Sequence, residues 1–136
     1  MIEILQTEHY RKWFDKLKAR NARVRIDIRI RRYEKMRKEK TSAWDAADHL
    51  KTEADMEAYL EAALEENDSG LIAAALGDIA RAKGMTLIAK KTGLGRESLY
   101  KALSAQGNPE LSTVLKVVKA LGLQLQVRSG KTRKAA

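Results

Sequence analysis

Apolar positions recur at helical spacing along most of this chain. Met56, Tyr59, Leu60, Ala63 and Leu64, in EADMEAYLEAALEE, fall at i, i+3, i+4, i+7 and i+8, the stripe of an amphipathic helix. Thr52 with Asp55 makes a capping-box-like start for it, and Ser42 with Asp45 repeats the device before the short helical stretch WDAADHL. Asn67, Asp68, Ser69 and Gly70 stop the long helix and cap the next, LIAAALGDIARAK, which Gly84 ends. Gly107 and Asn108 break the chain later. Pro109 suits a first helical position, and Leu111, Val114, Leu115, Val118 and Leu121 line the buried face of a last helix closed by Gly122. LQLQV at 123–127 alternates as a short strand does and has the form to pair with its copy in a second chain; 128–136 reads as a disordered basic tail.

The amino-terminal pattern is mixed. Residues 2–6, IEILQ, are β-capable, and Thr7 caps a helix from Glu8 to about Arg20 with Tyr10, Trp13, Phe14 and Leu17 on one face. In RVRIDIRIRRY, Val24, Ile26, Ile28 and Ile30 alternate with charges as in a strand, while Ala22, Ile26, Ile30, Tyr33 and Met36 make a helical stripe. Periodicity leaves both readings open there.

Thr86 to Ser104, TLIAKKTGLGRESLYKALS, has the residue types of a helix, a tight glycine corner and a second helix. Ala89 is small where two helices touch, Gly93 accepts the positive φ of the corner, and Leu94 and Leu99 plug it from both sides. The spacing predicts a helix-turn-helix. The alternative is an ordinary helical hairpin in which Gly93 merely ends a helix and Lys90, Lys91, Arg96 and Lys101 form a solvated face.

Charge weighs against that alternative. The formal net charge of +9 over 136 residues is divided into three blocks: +8 over 1–41, −8 over 42–70 and +9 over 71–136. The last block carries the helix-turn-helix, where Lys and Arg displace counterions from a phosphate backbone. The acidic middle is suited to neutralise the basic arm. One proline, few aromatics and abundant Ala, Leu, Lys, Arg and Glu indicate a mostly helical protein. Cysteine is absent and only His9 and His49 are present, which excludes a disulfide framework and argues against a metal centre or cofactor site. MIEILQTEHYRKW reaches charge within three residues and no apolar run is long enough to span a bilayer, so the expectation is a soluble cytoplasmic protein without membrane contact.

From Trp44 to Val127, about 84 residues, WDAADHL, AYLEAAL, LIAAALGDIARAKGM, the Ala89/Gly93/Leu99 core and GNPELSTVLKVVKALGL resemble the HigA-like addiction-module antidote proteins, Xre-type helix-turn-helix antitoxins. The resemblance implies a mainly α, Xre/lambda-repressor-like bundle with a short terminal strand. It also implies dimerisation, repression through a palindromic operator in double-stranded DNA, and sequestration of a cognate toxin. The first 38 residues or so resemble the start of the partner, a HigB-like member of the RelE ribonuclease superfamily, as a strand followed by two helices; by that analogy 21–38 is helical. The rest of the toxin sheet, with the residues that cut messenger RNA, has no counterpart, so no catalytic residue is carried over. The chain thus divides into a truncated toxin-like basic arm at 1–41, an antitoxin-like domain at 42–127 and the tail at 128–136.

On a recognition helix beginning near Gly95, Leu99 and Leu103 turn inward and Glu97, Ser98 and Lys101 outward, with Arg96 at the leading end. Arg96 and Lys101 suit guanine O6 and N7, Ser98 is adaptable, and Glu97 accepts from cytosine N4 or orients an arginine. Tyr100, Thr86, Lys90 and Lys91 suit phosphate. Many relatives place a polar phosphate-contacting side chain where Met85 stands, a role that falls to Thr86. His9 and His49 read as surface or cap histidines, and Asp45, Asp48, Glu61, Glu65 and Glu66 as an acidic docking face. The expected function is a non-enzymatic, sequence-specific DNA-binding regulator. Its rival is a toxin-neutralising interaction module with vestigial DNA binding; a ribonuclease, lacking the catalytic sheet, comes third.

Overall fold

Side-chain caps start three of the helical elements. In the computed structural model, which describes residues 20–36 and 45–130, the chain forms α1 (Arg20–Met36), a 3-10 turn (Ala46–His49), α2 (Glu53–Glu65), α3 (Ser69–Lys83), α4 (Met85–Thr92), α5 (Arg96–Ala102) and α6 (Leu111–Ala120). The capping box of α2 is complete: Thr52 Oγ1 accepts from the Asp55 amide at 3.1 Å, and the Asp55 carboxylate accepts from the Thr52 amide at 3.2 Å. Asp68 accepts from the Gly70 and Leu71 amides at the start of α3, and Gly84 closes that helix and begins α4. The strand read at 2–6, the helix read from Glu8, Ser42 and residues 131–136 of the tail lie outside the described residues.

Helix α3 is the hub. Leu71, Ala73, Ala74, Ala75, Leu76, Ile79 and Ala80 are all buried, and every other helix packs on it. Its small side chains permit that crowding. Gly77 is the extreme case, because a Cβ there would lie 2.1 Å from the Leu103 carbonyl oxygen. The carboxyl end of α5 therefore rests directly on the α3 backbone.

Three expectations are corrected. Residues 21–36 are helical, but the inner line is Val24, Asp27, Ile28 and Arg31, while Ala22 and Tyr33 are exposed. Two of those four inner positions are charged, so a search for apolar spacing selects the wrong stripe. On α6 the buried side is Val117, Val118 and Leu121, with Val114 packed beside them; Leu111 and Leu115 are 71% and 50% exposed. Pro109 precedes this helix, whose N-cap is Glu110. Residues 123–127 form no strand among the described residues: Leu123 packs on the core, Val127 is 99% exposed, and none of the described residues supplies a ladder partner.

A buried polar network fastens α1, α2, α3 and the 3-10 turn together. Asp78, 1% exposed on α3, accepts from the Tyr59 hydroxyl at 2.7 Å and from Arg81 at 2.8 Å, and Arg31 of α1 lies 3.1 Å away. Arg81 also grips Asp45 through two bonds of 2.8 and 2.9 Å. Those bonds hold the Asp45 carboxyl below the usual range and push the Arg81 guanidinium higher still. Burial, with the Asp78 charge adding to it, drives the Tyr59 hydroxyl well above its ordinary value. His49 is no surface histidine: its Nδ1 sits 2.7 Å from Asp27, itself 2% exposed.

Candidate nucleic-acid interface

Helix α4 begins with Met85, which is 4% exposed and belongs to the core with Ile88, so the first side chain free to face outward is Thr86. The helix ends at Thr92. Gly93 takes φ +73°, the left-handed conformation that costs an ordinary residue about 1–2 kcal/mol. The Thr92 hydroxyl donates to the Ile88 carbonyl at 2.8 Å and accepts from the Leu94 amide at 3.3 Å, tying both sides of the corner. Sequence reasoning passed over Thr92; a Thr directly before a helix-ending Gly was the available signal.

After a three-residue corner, 93–95, the chain re-enters a helix at Arg96. Leu99 and Leu103, 1% and 4% exposed, pin α5 to the core, and Leu94 and Ala89 pack around them. Arg96, Glu97, Ser98, Tyr100 and Lys101 are left exposed on α5, as are Thr86, Lys90 and Lys91 on α4. All eight sequence-predicted residues thus lie at the surface of two consecutive helices that pack on each other. The Arg96 guanidinium lies 5.8 Å from the centre of the Tyr100 ring, one helical turn on.

The charges of this face are unbalanced. Elsewhere carboxylates meet cations: Arg20 with Asp55, Arg32 with Glu66, Lys83 with Glu53, Arg128 with Glu61 and Arg81 with Asp45. Among the described residues, Lys90, Lys91, Arg96 and Lys101 enter no such pair. Four cations and one carboxylate, Glu97, share two short helices exposed to solvent. Such a surface attracts polyanions and keeps its side chains free to reach them. The acidic face read at Asp45, Asp48, Glu61, Glu65 and Glu66 is, in contrast, partly consumed, since Asp45, Glu61 and Glu66 each hold an arginine of the same chain. Among the described residues no helix is long and apolar enough to cross a membrane.

Comparison with known proteins places residues 40–129 in a family described as "probable addiction module antidote protein". A Haemophilus influenzae protein, described only as an uncharacterized protein, is 50% identical over 93 residues, which are 68% of this chain and 96% of the relative. No solved structure matches the chain.

Proposed function

The chain belongs to the family of probable addiction module antidote proteins, and from that membership we propose that it is an antitoxin that also regulates transcription by binding operator DNA. In this reading it is a non-enzymatic, HigA-like, Xre-type protein of the cytoplasm that partners a HigB/RelE-like toxin. As a homodimer it places α5 from each subunit in successive major grooves of a palindromic operator. The observation that carries the DNA reading is the set of four exposed cations on α4 and α5, paired with no carboxylate among the described residues, on two helices joined by a tight left-handed corner. Arg96 and Lys101 read guanine, Ser98 and Glu97 adjust the fit, and Thr86, Lys90, Lys91 and Tyr100 hold phosphates. Leu111 and Leu115, exposed on α6, offer apolar surface to a second copy.

The test is titration of the purified protein against the DNA upstream of its own gene and against a scrambled duplex. Preference for the former is expected. Arg96→Ala and Lys101→Ala should each cost about 1–3 kcal/mol of that preference while toxin binding is kept. Equal, weak binding to both duplexes would instead favour the second reading, to which the antidote family also points: a toxin-neutralising module without operator recognition.

A further inference from the structure

Helix α1 lies wholly outside the family region, which begins at residue 40. The Haemophilus influenzae relative, 96% accounted for by 93 residues, has the length of that region with little to spare. Yet α1 covers much of one face of it. Val24 and Ile28, 5% and 2% exposed, pack into the core, and both inner charges are answered across the contact, Asp27 by His49 at 2.7 Å and Arg31 by Asp78 at 3.1 Å. At the rim Arg20 meets Asp55 at 3.0 Å and Arg32 meets Glu66 at 2.7 Å.

The seat for Arg31 is built without α1. Asp78 is held by Tyr59 and Arg81, both from the family region, and a carboxylate so deeply buried gains from any further cation that reaches it. Around it the α2 side is acidic at Asp55, Glu61, Glu65 and Glu66, with Ala58 and Ala62 among them facing α1. Its complement is a basic amphipathic helix, and α1, with six arginines against Asp27 and Glu34, has that composition. We propose that the α2–α3 face around Tyr59 and Asp78 is a docking site for a basic amphipathic helix of a partner protein, and that α1 fills it from within the same chain. A partner helix then binds only by displacing α1, which competes at the high effective concentration of a tethered ligand, of order millimolar for a short linker.

The inference rests on the antidote reading only for the existence of a partner protein; it is independent of DNA binding. The probe is a fluorescein-labelled peptide of residues 20–36, added to the full chain and to its Arg31→Glu variant, in which α1 brings a carboxylate against Asp78. The variant should bind the peptide at least tenfold more tightly than the unaltered chain. Equal affinity, or a folded variant that ignores the peptide, overturns the proposal. Amide hydrogen exchange in the unaltered chain decides the matter even where the variant fails to fold: α1 should open while α3 stays protected, and one common rate for both would make α1 an integral part of the core and overturn it. Operator binding measured on the same variant keeps the DNA reading separately testable.

Discussion

At the scale of single residues, Tyr59 and Asp78 show how burial and charge were reconciled. Asp78 keeps a carboxylate in the interior because two donors, the Tyr59 hydroxyl at 2.7 Å and Arg81 at 2.8 Å, bond to it and the Arg31 guanidinium lies 3.1 Å away. Tyr59→Phe preserves the ring and deletes one hydrogen bond to a charged group, so it should lower unfolding stability by about 1.5–3 kcal/mol in denaturant titration. The loss should depend on pH. The folded hydroxyl titrates above the unfolded one, so its stabilisation is complete below the unfolded value of about 10 and fades as pH rises beyond it. The gap between the two proteins should therefore narrow from about pH 10 upward; a constant gap from neutral to strongly alkaline pH would contradict the account. Little of this network was visible in the sequence. Tyr59 was placed on the inner face by its spacing, but no apolar pattern points to Asp78 or Arg31, and only their pairing through the fold makes them interior residues.

At the scale of elements, the caps of α2 and α3 were legible, because a cap is a local interaction and Thr52 with Asp55 needs nothing from the rest of the molecule, whereas Asp45, read as the second member of a box begun at Ser42, is itself the N-cap of the 3-10 turn. The rotation of α6 was not legible. Five apolar residues at helical spacing define a broad stripe, and which side of it is buried depends on where α3 and α4 stand; Val117 was taken inward and Leu111 and Leu115 left outside. Gly77 belongs to the same class. In AAALGDIA it looks like a weak helix residue, yet it is the point where α5 is seated. Gly77→Ala should gain intrinsic helix propensity and still destabilise, by about 1–3 kcal/mol, since the added methyl meets backbone at Leu103 and not a yielding side chain. The shift would tilt α5, so operator affinity should fall in a variant that touches no DNA. A thermal melt at or above that of the unaltered protein would refute the close approach.

At the scale of the whole molecule, the charge blocks act as a sorting device. The acidic middle draws cations of the arm and the carboxyl-terminal segment onto itself, through Asp55 with Arg20, Glu66 with Arg32 and Glu61 with Arg128. Among the described residues the cations of α4 and α5 are left without a carboxylate partner, although the net charge of the chain alone does not say which of its 27 basic residues remain so. This sets an expectation for salt. Each lysine or arginine that neutralises a phosphate adds about 0.9 to the slope of log affinity against log salt, so a dimer using Lys90, Lys91, Arg96 and Lys101 twice should show a steep dependence. Lys90→Ala with Lys91→Ala should lower that slope by about 2 per subunit and weaken operator and scrambled duplex nearly alike, because phosphate contacts carry no sequence information. Arg32→Ala, which removes a cation already spent on Glu66, should leave the slope unchanged. If it flattened the slope as much as the α4 pair, the arm and not the helix-turn-helix face would be the surface that meets nucleic acid.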